Sequence, residues 1–264
     1  MTGASSGIGL ATALHLRELG HHVYGAARRQ DRMQPLSLRG GVPLLLDVTD
    51  DASLRAAVER IRAESGRIDV LVNNAGYGSY GAVEDVPLDE ARRQFEVNLF
   101  GLARLVQLVL PTMRAQGSGT IVNISSIGGK VYTPLGAWYH ATKHAVEGFS
   151  DALRFELADH GVRVVVVEPG AIATEWGGIA IEGMVERSGG GPYAALVRRT
   201  KAWFEREFQR GSSPEVVARA VGRAVTARRP KPRYAVGSGA RLALFGRWLL
   251  SDRGFDRVLR FYLR

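Results

Sequence analysis

The 264-residue sequence predicts a doubly wound α/β fold in a single domain, and three of its features carry that expectation. Runs of Val, Ile and Leu recur in "IDVLVNNAG", "GTIVNISS" and "VRVVVVEPG", too continuously apolar for strands with one wet face. Segments of ten or more residues with helical periodicity separate them, which implies parallel strands covered on both sides. A glycine-rich turn, "TGASSGIG", opens the first of those helices. The length suits one domain that buries about 70–75% of its unfolded surface. No repeat, low-complexity tract or Pro/Ser linker divides it.

The first helix is predicted over about residues 8–19, ending at Gly20. "HHVYGAA", residues 21–27, reads as a strand, and "VPLLLDV", residues 42–48, as another. The helix "DDASLRAAVERIRAESG" follows with an Asp/Ser cap. The three apolar runs quoted above complete the set, each ending in small or polar residues. In such sheets ligands bind outside the carboxyl ends of the strands. Those ends fall at residues 27–28, 47–48, 73–76, 125–126 and 169–170, and they are expected to line one crevice.

Composition excludes several function classes. Hydrophobic residues make up 45% and charged residues 23%, which is the balance of a packed globular protein. With no cysteine there are no disulfides or thiolate metal sites, no metal is expected, and a reducing cytoplasm is the expected location. The first residues read as a glycine loop and not as a basic segment followed by an apolar run, so no signal peptide is expected. The net charge of +9 is concentrated in residues 228–264, where ten Lys or Arg face Asp252 and Asp256. The preceding residues are close to neutral, so no nucleic-acid groove is expected.

The turn has the form Gly3-x-x-x-Gly7-x-Gly9, in which glycines allow a tight bend and close approach of backbone N–H groups to a pyrophosphate. Tyr139 and Lys143 lie four apart in "WYHATKHAVEGF", so a helix puts both on one face. A fixed ammonium there would favour the phenolate and make Tyr139 a usable acid/base. The bland reading of Tyr139 is a packed core aromatic.

"TGASSGIG", "NNAG", Ser126 with Tyr139-x-x-x-Lys143, and "PGAIAT" follow one another in the order and spacing of the short-chain dehydrogenase/reductase family. The resemblance covers about residues 2–174 and is one of general layout beyond. It implies a Rossmann-like sheet, a nicotinamide cofactor, and Asn98, Ser126, Tyr139 and Lys143 as the catalytic set. Ser126 would orient the reacting oxygen, Lys143 would hold the nicotinamide ribose, and Asn98 would support a water behind the lysine. By the same resemblance Gly3, Ser5, Ser6, Gly7, Ile8 and Gly9 bind the cofactor phosphates, with Asn74, Ala75 and Gly76 beside them. Pro169 and Gly170 end a strand, and the Ile172 backbone and Thr174 would hold the carboxamide. Asp47 and Val48 resemble the adenine-contacting pair, although Asp47 could equally be a helix-start signal.

Where an acidic residue selects NAD(H), this chain has Ala27 followed by Arg28 and Arg29. Paired guanidinium bonds suit a 2′-phosphate, and the resemblance adds Ser5 to that contact, so NADP(H) is preferred with NAD(H) as the alternative. The bland reading makes both arginines solvated loop charges. Members of the family carry a strand before the Thr-Gly pair, and here it is lacking. A missing central strand leaves two neighbours unpaired and a slot in the core. The natural chain is therefore expected to start upstream of Met1.

The resemblance points most to the hydroxysteroid and retinol dehydrogenase branch and to an apolar steroid-, retinoid- or lipid-like substrate. Residues 175–211, with Trp176, Ile179, Ile181, Met184 and Tyr193, are expected either to form a mobile lid or to pack on the sheet. Tyr77, Tyr80, Leu135 and Trp138 are candidates for the pocket wall. The tail over about residues 228–264 is basic and amphipathic, fit to dock on the body, on a partner subunit or on an anionic membrane surface. A homodimer or homotetramer is implied by the resemblance. The alternative to an oxidoreductase is a non-catalytic NADP(H)-binding scaffold or redox sensor.

Overall fold

The computed structural model describes residues 1–263. Strands and helices alternate from α1 (Gly7–Glu18), β1 (Tyr24–Ala27) and α2 (Gln34–Ser37) through β2 (Val42–Leu45), α3 (Asp51–Ser65) and β3 (Val70–Asn73). The middle of the chain gives α4 (Leu88–Phe95), α5 (Gly101–Gln116), β4 (Gly119–Ile124), α6 (Ala137–Glu156) and β5 (Val162–Pro169). The last part gives α7 (Glu175–Ser188), α8 (Ala194–Gln209), α9 (Glu215–Thr226), β6 (Arg233–Val236), α10 (Ala240–Leu249) and α11 (Asp252–Tyr262).

Every strand pairing is parallel, in two groups: β1 with β2, and β3-β4-β5-β6 in that order. The alternation of side chains splits each apolar strand between two cores. Leu71, Ile121 and Val164 face Leu54, Leu102 and Val146 on one side. Val72, Val122 and Val165 face Leu16, Val217 and Val221 on the other. Helices thus cover both faces, as the continuous Val/Ile/Leu runs predict.

Among the described residues no strand precedes α1, yet Met1 and Thr2 lie in the slot between β1 and β3. The Ala26 N–H donates to the Met1 carbonyl at 2.8 Å, and the Thr2 N–H donates to the Val72 carbonyl at 3.0 Å. Met1 and Thr2 thus pair in part with both neighbours, so the expectation of wholly unpaired neighbours is corrected. Both early strands are shorter than predicted. His21 donates back to the Leu16 carbonyl, so the residues before Tyr24 belong to the exit of α1. β2 ends at Leu45, the Leu46 N–H still donates to the Ala27 carbonyl at 3.1 Å, and the chain then turns toward α3, where the Asp47 carboxylate takes hydrogen bonds from the Thr49 amide and hydroxyl. The N-cap of α3 is Asp50, accepting from the Ala52 N–H at 2.9 Å, and not Asp47.

A buried polar ladder sets α6 against the sheet. The Asn73 amide donates to Asn123 at 3.0 Å, Asn123 donates to the Ser150 hydroxyl at 2.9 Å, and Ser150 donates to the Val146 carbonyl at 2.6 Å. These bonds are made inside the core, although the Asn73 Oδ1 at the head of the ladder has no partner, and they tie α6 to β3 and β4.

Candidate active site

The strand ends converge on the glycine turn. Gly3 and Gly7 adopt φ of 67° and 49°, the left-handed region that glycine enters without strain. A Cβ on Gly9 would run into the Gly3 carbonyl, and one on Gly3 would lie 2.7 Å from Asn74 Nδ2. Asn74 donates to the Thr2 and Gly3 carbonyls at 3.1 and 3.3 Å, and the Thr2 hydroxyl accepts from the Asn74 and Ala75 amides, both at 3.0 Å. "TGASSG" and "NNAG" are thereby one unit. Ser6 stands at the N-cap of α1 without a side-chain cap, so the first N–H groups of the helix have no side-chain partner there. Thr174, the N-cap residue of α7, closes the same space, its Cγ2 3.1 Å from where a Cβ on Gly7 would sit. The residues present suit a dinucleotide: open N–H groups, a backbone that admits no side chains, and adjacent cations.

Those cations are Arg28 and Arg29, both exposed at the end of β1. Arg29 donates to the Ser6 hydroxyl at 3.4 Å, while Ser5 is buried. Arg32 bridges to Glu175 at 3.3 Å, linking the segment after β1 to the start of α7. The Asp47 carboxyl is held below its usual range by its bond from the Thr49 backbone, against the opposing effect of burial. Val48 packs its carbonyl on Gly101 at the start of α5. Pro169 and Gly170 end β5, where a Cβ on Gly170 would strike the Ser238 carbonyl, and Ile172 is buried in a bridge to Ser212.

Tyr139, Lys143, Asn98 and Ser126 form the second half of the crevice. The π-helical turn Glu96–Phe100 turns Asn98 inward, where it accepts from the Tyr77 N–H at 3.0 Å. Its amide donates to the Tyr77 carbonyl at 2.9 Å and to the Thr142 hydroxyl at 3.0 Å, and Thr142 donates in turn to the Tyr139 carbonyl at 2.8 Å. Ser126 accepts from the Gly128 N–H at 3.0 Å, which stations its hydroxyl at the end of β4. Gly76 is the meeting point of two of them: a Cβ there would lie 3.1 Å from Asn98 Oδ1 and 3.8 Å from Lys143 Nζ.

Lys143 is buried and donates to the Ile124 carbonyl at 2.9 Å. Burial pushes its ammonium down to about 8, opposed by the nearby Glu147 carboxylate. Burial pushes the Tyr139 phenol up to about 12, with a hydrogen bond from Ser126 acting the other way. Lys143 and Tyr139 share one helix, with the ammonium on the Ile124 carbonyl and the phenol beside Ser126.

Sequence reasoning missed three groups around this tyrosine. His140 accepts from the Thr133 N–H at 2.9 Å on Nε2, so Nδ1 carries the proton and donates to the Gly128 carbonyl at 3.0 Å. It pins both ends of the segment between Ser126 and Tyr139, where Leu135 adopts a left-handed φ of 63°. Burial holds the His140 ring down to about 4. Phe204 and Phe208 join Tyr80, Leu135, Met184 and Trp176 in the cluster that also holds Tyr139. Trp176 stands 5.1 Å from the Tyr139 ring and Tyr80 5.6 Å. Tyr77 and Trp138, expected in the wall, lie outside this cluster. Residues 175–211 contain α7 and α8, with Ile181 and Met184 buried and Ile179 exposed. The spacing of aromatics in α8 is the signal that could have found Phe204 and Phe208.

A family model described as short chain dehydrogenase matches residues 1–181. The chain belongs to the short-chain dehydrogenase/reductase family. Its similarity to the 3-ketodihydrosphingosine reductase of Bacteroides thetaiotaomicron is 40% identity over 90% of this chain and 86% of that protein. An NADPH-dependent 3-dehydrocapnine reductase of Ornithobacterium rhinotracheale is 36% identical over 98% and 94% of the two chains. In shape, a short-chain dehydrogenase from Streptomyces avermitilis superposes with a TM-score of 0.83 at 34% identity, covering 99% and 94%. Other solved members of the family, 29% and 28% identical, are complexes with NADP. As a short-chain dehydrogenase/reductase the chain is an oxidoreductase.

Proposed function

We propose that the protein is an NADP(H)-preferring oxidoreductase that interconverts an alcohol and a ketone or aldehyde on an apolar, lipid-like substrate. The arrangement around Tyr139 carries this reading: a buried phenol within hydrogen-bonding reach of Ser126, on the helix that also presents Lys143, locked to Asn98 through Thr142. Tyr139 is the general acid/base and Ser126 orients the reacting oxygen. With its pKa at about 12 the phenol is protonated at neutral pH, the form that donates to a carbonyl oxygen during reduction. Lys143 holds the nicotinamide ribose hydroxyls and Asn98 supports the lysine. Bound in the cleft, the nicotinamide ring supplies or accepts the hydride.

Gly3, Ser5, Ser6, Gly7, Ile8 and Gly9 cradle the phosphates against Asn74, Ala75 and Gly76. Arg28 and Arg29 hold a 2′-phosphate beside Ala27, where an acidic residue would repel it. Asp47 and Val48 face the adenine, and Ile172 and Thr174 fix the carboxamide after Pro169 and Gly170. The helices α7 and α8 cover the substrate side. Their aromatic lining, and two relatives whose names state 3-keto or 3-dehydro substrates, favour a long-chain 3-ketone. A homodimer or homotetramer in the cytoplasm belongs to the same proposal, and sedimentation velocity checks the assembly.

The test is NADPH consumption with 3-ketodihydrosphingosine, alongside steroid and retinoid carbonyls. Turnover of the first above the others is the expected result. Binding of NADPH, seen as a raised thermal transition, without turnover of any carbonyl would overturn the reading in favour of a scaffold.

A further inference from the structure

The last two helices leave an apolar surface uncovered. α10 and α11 are tied to each other by Arg247, which pairs with Asp252 at 2.8 Å and lies 5.8 Å over the Phe255 ring. Their hold on the body is narrow. Ala240, Phe255 and Leu263 are buried, the Phe255 ring meets Tyr132 edge-on at 5.2 Å, and the Tyr132 hydroxyl donates to Asp256 at 2.7 Å. Beyond these anchors Leu242, Phe245, Trp248, Leu249, Phe261 and Tyr262 are each more than half exposed. Scattered single apolar residues need no explanation, but this concentration on one short segment does.

Cations frame it. Arg241, Arg253, Arg257 and Arg260 are exposed, and none has a carboxylate partner among the described residues. The two acids of the segment are engaged, Asp252 with Arg247 and Asp256 with Tyr132. Exposed aromatic and aliphatic groups beside unpaired arginines match an interface between headgroups and acyl chains that carries negative charge. Pairing with a second copy through this face would set the same arginines against each other, which disfavours it. No helix among the described residues is long and apolar enough to cross a membrane, so contact lies in the interfacial plane.

We propose that the α10–α11 pair docks this protein on an anionic bilayer surface, with Phe245, Trp248 and Phe261 inserted and the four arginines on the headgroups. Tyr132, which anchors α11, belongs to the segment joining Ser126 to Tyr139. The docked pair is thereby tied to the loop that carries Ser126. Delivery of substrate rests on the proposed reductase activity; the docking itself does not.

The full chain is sedimented with vesicles of mixed phosphatidylcholine and phosphatidylglycerol, and with phosphatidylcholine alone. Binding to the mixed vesicles at low salt, released by added salt, is expected. Exchange of Arg257→Glu with Arg260→Glu, and separately Trp248→Glu, should each lower the bound-to-free ratio by about tenfold or more. The thermal transition and NADPH binding should stay unchanged. No binding to the mixed vesicles, binding that neither variant weakens, or a wild-type dimer that Trp248→Glu converts to monomer would each overturn the proposal. The readout needs no turnover, so an inactive enzyme would still report on docking.

Discussion

The segment from Ser126 to Lys143 and the C-terminal helix pair touch each other through Tyr132, yet they are held by opposite means. In the first, His140, Thr142, Lys143 and Tyr139 are all buried, with one set of hydrogen bonds joining His140 to Gly128 and Thr133 and a second joining Tyr139, Thr142, Asn98 and Tyr77. In the second, Ala240, Phe255, Leu263 and one phenol-to-carboxylate bond anchor a segment whose other large apolar groups are mostly exposed. A buried polar network holds atoms to fixed positions because every lost partner carries a desolvation cost. A helix pair on a few anchors keeps its outer face free. The first design suits chemistry, and the second suits contact with something outside the molecule.

The largest expected effect tests whether the network serves catalysis. Tyr139→Phe should lower turnover by at least about 100-fold while NADPH binding and the thermal transition remain. Turnover reduced less than that would make Tyr139 a packing residue of the aromatic cluster. The next effect tests the network as structure. The His140 ring titrates at about 4 in the folded protein, against an ordinary 6.5. The unfolded chain thus takes up the proton first, and stability is full above about pH 6.5 and lost as pH falls toward 4. The loss is about 3 kcal/mol. His140→Asn should cost stability at pH 7 but flatten this dependence, which urea unfolding at pH 7, 5.5 and 4.5 would measure.

A smaller effect concerns the cofactor end of the cleft, where the side chains are exposed. Arg28→Glu with Arg29→Glu should weaken NADPH by about 10- to 100-fold and leave NADH nearly unaffected, read by titration of cofactor fluorescence. Equal loss for both cofactors would return the arginines to solvated loop charges. The smallest effect belongs to the tail. Tyr132→Phe removes one hydrogen bond to Asp256 and should cost about 1 kcal/mol of stability, with faster amide exchange confined to α11. Slower turnover in that variant would show that the two regions are coupled.

Much of the site was legible because it is local. The glycine turn, the four-residue step from Tyr139 to Lys143 and the strand ends at Asn74 and Ser126 are sequence spacings whose geometry follows from helix and strand periods. The strand before Tyr24 was overread because β propensity says nothing of a chain reversal that pairs His21 with Leu16. His140 was invisible because its partners, Gly128 and Thr133, come from a loop whose path no periodicity encodes. The packing of Trp176 against Tyr139 depends on where α7 lies, and a lid and a packed helix share one sequence pattern.

The sequence by itself determined the alternation of strands and helices, the two apolar faces of β4 and β5, and the chemical groups that reach the crevice. Only the tertiary structure decided what state those groups are in. Burial raises the Tyr139 phenol and depresses His140, the Ile124 carbonyl takes the Lys143 ammonium, and the tail keeps its aromatic face outside. Periodicity is a property of neighbours along the chain. Protonation and exposure depend on groups brought close from far apart in sequence, which local pattern does not carry.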